Sequence, residues 1–248
     1  LSYVLKSISA LHVVKLHPQY INKDNSLIFL TKKALKLPFS IFQFFFYLTL
    51  NFIFVKKNKK IVKKEILIIS HLIEKKYLSQ RKDFYFGDLE KIFYKKNKTF
   101  FKFLINHTSY PSFFYNNSLG LKNKLVAEKI LNPFLELKIF FLKIFCIFEL
   151  INLFQKKFFN LFIFKKLIIS LFDSETTFAL RIRFQIINII KKIEPREIIL
   201  TYEGFSWEKI CINGIKTVNE KIKCIGYQHT FLSKYHRGIY NIISKNYN

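Results

Sequence analysis

Short apolar runs, each closed by polar side chains and separated by helix-length segments, constrain this chain more than any other feature. Glu65–Ser70 (EILIIS), Thr99–Ile105 (TFFKFLI), Glu197–Tyr202 (EIILTY) and Lys221–Tyr227 (KIKCIGY) have the length and the β-branched or aromatic content of buried strands. Helical patterns lie between them. Asp83–Asn97 (DFYFGDLEKIFYKKN) reads as a helix with Asp83 as its cap. Asp173 or Ser174 opens a second, whose stripe is Phe178, Ile182, Ile186, Ile189 and Ile193 and which Pro195 stops. Gly204 and Ser206 turn the chain into a third, with Trp207, Cys211, Gly214, Ile215 and Val218 on its apolar face. Strand, helix, strand in this order predicts an α/β fold: one parallel sheet with right-handed crossovers, flanked by helices.

Half of the 248 residues are hydrophobic, so the chain can bury a core. Its 42 Lys and Arg against 16 Asp and Glu give a formal net charge of +26. The basic residues are nearly all Lys, and they are spread throughout rather than grouped in a recognition motif. A nucleic-acid partner is therefore not expected, whereas attraction to anionic surfaces is. Cys146, Cys211 and Cys224 are scattered, with no paired spacing, and read as small buried hydrophobes. The chain begins at Leu1 and contains no Met, so it reads as a gene fragment or a shortened gene product.

Two segments raise the question of a membrane. Leu37–Val55 is free of charge and about long enough to span a bilayer, but Pro38, Ser40, Gln43, Thr49 and Asn51 interrupt it. A span and a buried or interfacial helix both fit. Leu135–Phe172 is apolar but carries Lys138, Lys143, Glu149, Lys156, Lys157, Lys165 and Lys166. Charges at that frequency fit two or three amphipathic helices, packed on a sheet or resting on lipid. The resulting plan has an apolar amino-terminal segment over 1–60 and an α/β domain over 61–248, with a helical insertion at about 125–172.

Each predicted strand ends in polar residues: His71, then Asn106 and His107, then Glu203, then Gln228 and His229. Ligands of open parallel sheets bind outside the carboxyl ends of the strands. Neighbouring third and fourth strands would set Glu203 and His229 about 5 Å apart, where a carboxylate can orient an imidazole as a base. Solvated loop histidines at 71 and 107, a plain turn at Glu203-Gly204, a core role for Trp207 and a helix-dipole role for Glu208 are the simpler alternatives. No glycine-rich phosphate loop and no cofactor or metal motif is present. Asp88 and Glu90, two apart on a helix, diverge too far to share an ion.

Thr201–Ile210 (TYEGFSWEKI) followed by Ile225–Leu232 (IGYQHTFL) resembles a signature of bacterial surface carbohydrate biosynthesis proteins, and Asp83–Leu89 (DFYFGDL) and Ile105–Thr108 (INHT) resemble their amino-terminal part. The resemblance covers about Glu65 to His229. It implies the amino-terminal, acceptor-side half of a GT-B-type glycosyltransferase, an enzyme of two facing Rossmann-like domains. A carboxyl-terminal donor domain, absent here, would hold the nucleotide sugar. The implied reaction is sugar transfer to a glycan or lipid-linked acceptor, without a cofactor, at the cytoplasmic face of the inner membrane. Glu203 and His229 are the expected catalytic residues; Glu208, Gln228, His71 and His107 are the expected substrate contacts. A non-enzymatic, membrane-associated polysaccharide assembly protein is the alternative.

Overall fold

The computed structural model describes residues 45–46, 49, 62–79, 83–112, 115–116, 123–156 and 161–228. Leu37–Val55 lies almost wholly outside the described residues, and His229 lies outside them too. The chain divides into two compact units, one of Lys56–Lys129 with Phe178–Asn248 and one of Leu1–Val55 with Ile130–Thr177.

The first unit is built on a parallel sheet of β1 (Ile66–Leu72), β2 (Phe100–Asn106), β3 (Lys124–Val126), β4 (Glu197–Thr201) and β5 (Lys223–Tyr227), in the order β3-β2-β1-β4-β5. All four predicted strands are present. The fifth, β3, is a three-residue edge strand, too short to show a periodicity. β1 and β2 are buried along their whole length, as expected of strands covered on both faces. Alternation puts Ile66, Ile68 and Ser70 on one face of β1 and Leu67, Ile69 and His71 on the other.

Helices flank this sheet: α1 (Lys76–Ser79), α2 (Leu89–Lys95), α5 (Ser174–Ile193) and α6 (Ser206–Val218). Ile66 and Ile68 of β1, Phe100 of β2 and Ile199 of β4 form one core cluster with Phe86, Leu89 and Phe93 of the α2 region. The stripe read on α5 is buried at Ile182, Ile186, Ile189 and Ile193, and Gly214 of α6 approaches Arg183 and Ile187 closely. The first turn of α5 belongs to the second unit.

The segment from Asp83 is not helical from its start. Asp83 and Gly87 pair across a tight turn, with Gly87 at φ +55°, and α2 begins only at Leu89. The cause is Asp83 itself. Its Oδ1 accepts the backbone N–H groups of Tyr85 and Phe86 and the Ser70 hydroxyl, a local bonding pattern that competes with helix. Its Oδ2 lies 2.5 Å from Lys102 Nζ. Lys102, in mid-β2, also meets Glu90 at 2.6 Å, and Glu90 meets Lys124 at 3.3 Å. Two lysines and two carboxylates thus neutralise one another, three of them almost fully buried.

In the second unit, α3 (Pro133–Gln155) and α4 (Leu161–Leu171) pack through Cys146, Leu150, Leu167 and Leu171. Asn132 caps α3 by accepting from Leu135 N–H, and Pro133 opens it. Among the described residues, no helix is long and apolar enough to cross a membrane.

Candidate functional site

The chain leaves β1 toward β2 and returns on the other side as β4, so the crevice between the carboxyl ends of β1 and β4 is the topological switch point of the sheet. His71, the penultimate residue of β1, bridges it. Its Nε2 lies 2.9 Å from Thr201 Oγ1 at the end of β4, and its Nδ1 lies 2.7 Å from His107 Nε2, just past β2. The backbone holds this register, because His107 N–H donates to Leu72 O at 3.1 Å.

Aromatic side chains wall the pair. The Tyr85 ring sits 4.9 Å from His71, and Trp207 meets His71 edge-on at 5.4 Å. Tyr85 stands on the Asp83–Gly87 turn, so the buried Asp83–Lys102–Glu90 network fixes one wall of the site. Next to His107, the Asn106 side chain accepts from Thr108, and Thr108 O accepts from Lys129 Nζ. His71 is buried while His107 is exposed, which makes His107 the member open to a ligand.

Both imidazoles favour the neutral state. Burial is the main cause for His71; with His107 adding to it and Asp83 opposing, its pKa is pushed down to about 4. His107 is lowered by partial desolvation of its ring and then by the Lys129 ammonium. Two proton arrangements satisfy the geometry. In one, His71 Nδ1–H donates to His107 and Thr201 donates to His71. In the other, His107 Nε2–H donates to His71, whose Nε2–H donates to Thr201. The second leaves the His107 Nδ1 lone pair open, and so makes His107 a base oriented by His71.

Glu203 follows β4 and is half-buried; its Oε1 has no hydrogen-bond partner among the described residues. Its carboxylate is near enough to Tyr85 to add to the rise in that phenol's pKa, which burial chiefly causes. Gln228, after β5, likewise has a buried Nε2 without a partner among the described residues. Glu208 is fully buried, and its carboxylate accepts the backbone N–H groups of Glu203, Gly204 and Phe205 at 2.8–3.0 Å. It fastens the loop that leads into α6, with Gly204 at φ +87° making the turn. In this position the Glu208 carboxyl group faces the chain's own backbone. Burial pushes its pKa up to about 7, against the opposing pull of those backbone donors.

Of the residues singled out in the sequence, His71 and His107 are brought into contact, and Glu203 and Gln228 sit at the same edge of the sheet. Thr201 and Tyr85 were not foreseen. Tyr85 was hidden by the helical reading of its segment, and Thr201 looked like an ordinary strand residue. Among the described residues, no three His, Cys, Asp or Glu side chains are grouped as metal ligands. No family model, no curated protein and no solved structure matches the chain.

Proposed function

We propose that this protein transfers a sugar to an acceptor hydroxyl in the synthesis of a bacterial surface polysaccharide. On this reading the α/β unit is the acceptor-side Rossmann-like domain of a GT-B-type enzyme, and a nucleotide sugar bound by a second domain is the donor. The acceptor is a glycan or a lipid-linked glycan at the cytoplasmic face of the inner membrane.

The observation that carries the reading is the neutral His71–His107 pair at the switch point. Glycosyl transfer needs a group that removes the acceptor proton as the oxygen attacks the sugar carbon and the nucleoside phosphate departs. With His107 Nε2–H donating to His71, His107 Nδ1 is open to take that proton. His71 steadies the imidazolium that forms through its own bond to His107, and Thr201 orients His71 in turn. Glu203 and Gln228 offer polar atoms without partners to a hydroxyl-rich ligand.

The test is complementation of a strain that lacks the gene, with surface polysaccharide measured by sugar composition. Wild-type protein should restore the polysaccharide, and His107→Gln and His71→Gln should fail while accumulating to the wild-type level. Full restoration by both variants would overturn the reading and favour a non-enzymatic assembly role.

A further inference from the structure

Helix α3 carries apolar residues on every side, yet among the described residues only one side of it is covered. Ile139, Lys143, Cys146 and Leu150 form the buried side. On the opposite side, Phe134, Leu137, Phe141, Phe145 and Phe148 follow one another at spacings of three and four, which places them in a single stripe. Phe134 is 75 % exposed, Phe141 59 % and Phe148 64 %. Water-facing helix surface is normally polar, so a continuous aromatic stripe about four turns long marks an interaction surface.

Charge on the same unit points to the occupant. Exposed Lys138 on α3 and exposed Lys156 at its carboxyl-terminal cap border the stripe, and exposed Lys165 and Lys166 on α4 stand among exposed Leu161, Phe162 and Ile169. On these two helices the acids are Glu136, which is buried, and Glu149, which is half-buried. An aromatic stripe bordered by lysine, without exposed acid, is the composition of a helix that lies in the plane of a bilayer interface. Its rings enter the acyl boundary, and its ammonium groups remain at the level of anionic headgroups. A protein groove would provide for the rings but gives no reason for four exposed lysines around them.

We infer that the aromatic face of α3, with the lysines of α3 and α4, docks this protein on an anionic lipid surface. This sharpens the membrane-side location proposed above. Vesicle binding and polysaccharide restoration are separate assays, so either can fail without the other.

Flotation of the full chain with vesicles of phosphatidylcholine alone, or with about a third phosphatidylglycerol, tests the inference. Wild-type protein should float with the anionic vesicles and much less with the neutral ones. The triple substitution Phe141→Ser, Phe145→Ser, Phe148→Ser should weaken binding to anionic vesicles about tenfold or more. Lys165→Glu with Lys166→Glu should remove the preference for anionic lipid and the salt sensitivity. All these positions are exposed, and an unchanged far-UV spectrum confirms that the fold persists. Equal flotation of wild type and the triple variant would overturn the inference. So would a triple variant that floats normally but changes from dimer to monomer, which would assign the stripe to a second copy of the chain.

Discussion

His71 Nδ1 and His107 Nε2 stand 2.7 Å apart, although 36 residues separate them in the chain. Parallel pairing of β1 with β2 creates the proximity, since Leu72 is in register with Asn106 and His107 follows directly. Two imidazoles this close must share one proton between the facing nitrogens, so each fixes the tautomer of the other.

The roles of the two histidines should therefore separate in kinetics. On the proposed transferase reading, His107→Ala should lower sugar transfer by about 10²–10⁴-fold, as loss of a positioned general base does. His71→Asn should have a smaller effect and shift the acid limb of the rate profile, because His71 acts on the reaction only through His107. Rate against pH for both variants, with nucleotide-sugar turnover as readout, checks this. Equal losses with unchanged profiles would deny His71 the positioning role.

The strands were legible because buried parallel strands carry a nearly uninterrupted apolar run, as in ILIISHL and FFKFLIN. Of the polar residues that close them, His71, Asn106, His107, Glu203 and Gln228 all fall at the carboxyl edge of the sheet. The ion network was not legible. A lysine inside an apolar strand gives no local sign that Asp83 and Glu90, from a separate segment, will neutralise it. Nor did spacing reveal Glu208, which reads as a surface acid of a first helical turn until its loop is seen folded back over it.

Lys102→Met should destabilise the α/β unit by about 3–5 kcal/mol, because it leaves two buried carboxylates facing Lys124 alone. Urea denaturation followed by far-UV circular dichroism measures the loss. A substitution near neutral would mean that the network contributes little beyond its own desolvation cost. Because Asp83 holds the turn under Tyr85, the variant should also loosen the wall of the histidine site.

His71 and Glu208 should oppose each other in the pH dependence of stability. His71 falls from 6.5 to about 4 on folding, so between these values the unfolded chain takes up a proton that the native one refuses. Its contribution is present above about pH 6.5 and is lost as pH falls toward 4. Glu208 rises from 4.5 to about 7, so the native state keeps a proton that the unfolded chain releases. Its contribution is present below about pH 4.5 and is lost as pH rises toward 7. Each shift corresponds to roughly 3 kcal/mol. Relative to wild type, His71→Gln should make stability fall more steeply with pH from 4.5 to 6.5, and Glu208→Gln should make it rise more steeply. Urea midpoints across that range provide the comparison, and it fails if the two slope changes share a sign.

Gly226→Ala should destabilise through β4 rather than through its own strand. A Cβ at 226 would stand 2.8 Å from Tyr202 Cβ and 3.2 Å from its Cγ. A flexible side-chain tip could swing away from such a contact, but Tyr202 Cβ is fixed to a backbone whose N–H donates to Tyr227 O at 2.8 Å. The strands must part or the Tyr202 ring must rotate, at a cost of about 1–3 kcal/mol for overpacking of this kind. Tyr202→Gly removes the opposing Cβ and should recover part of that loss when combined with Gly226→Ala, although alone it lowers stability by removing a half-buried ring. A double-mutant cycle in urea isolates the coupling. Additive single and double variants would show that the contact at β4 and β5 is not what requires glycine at 226.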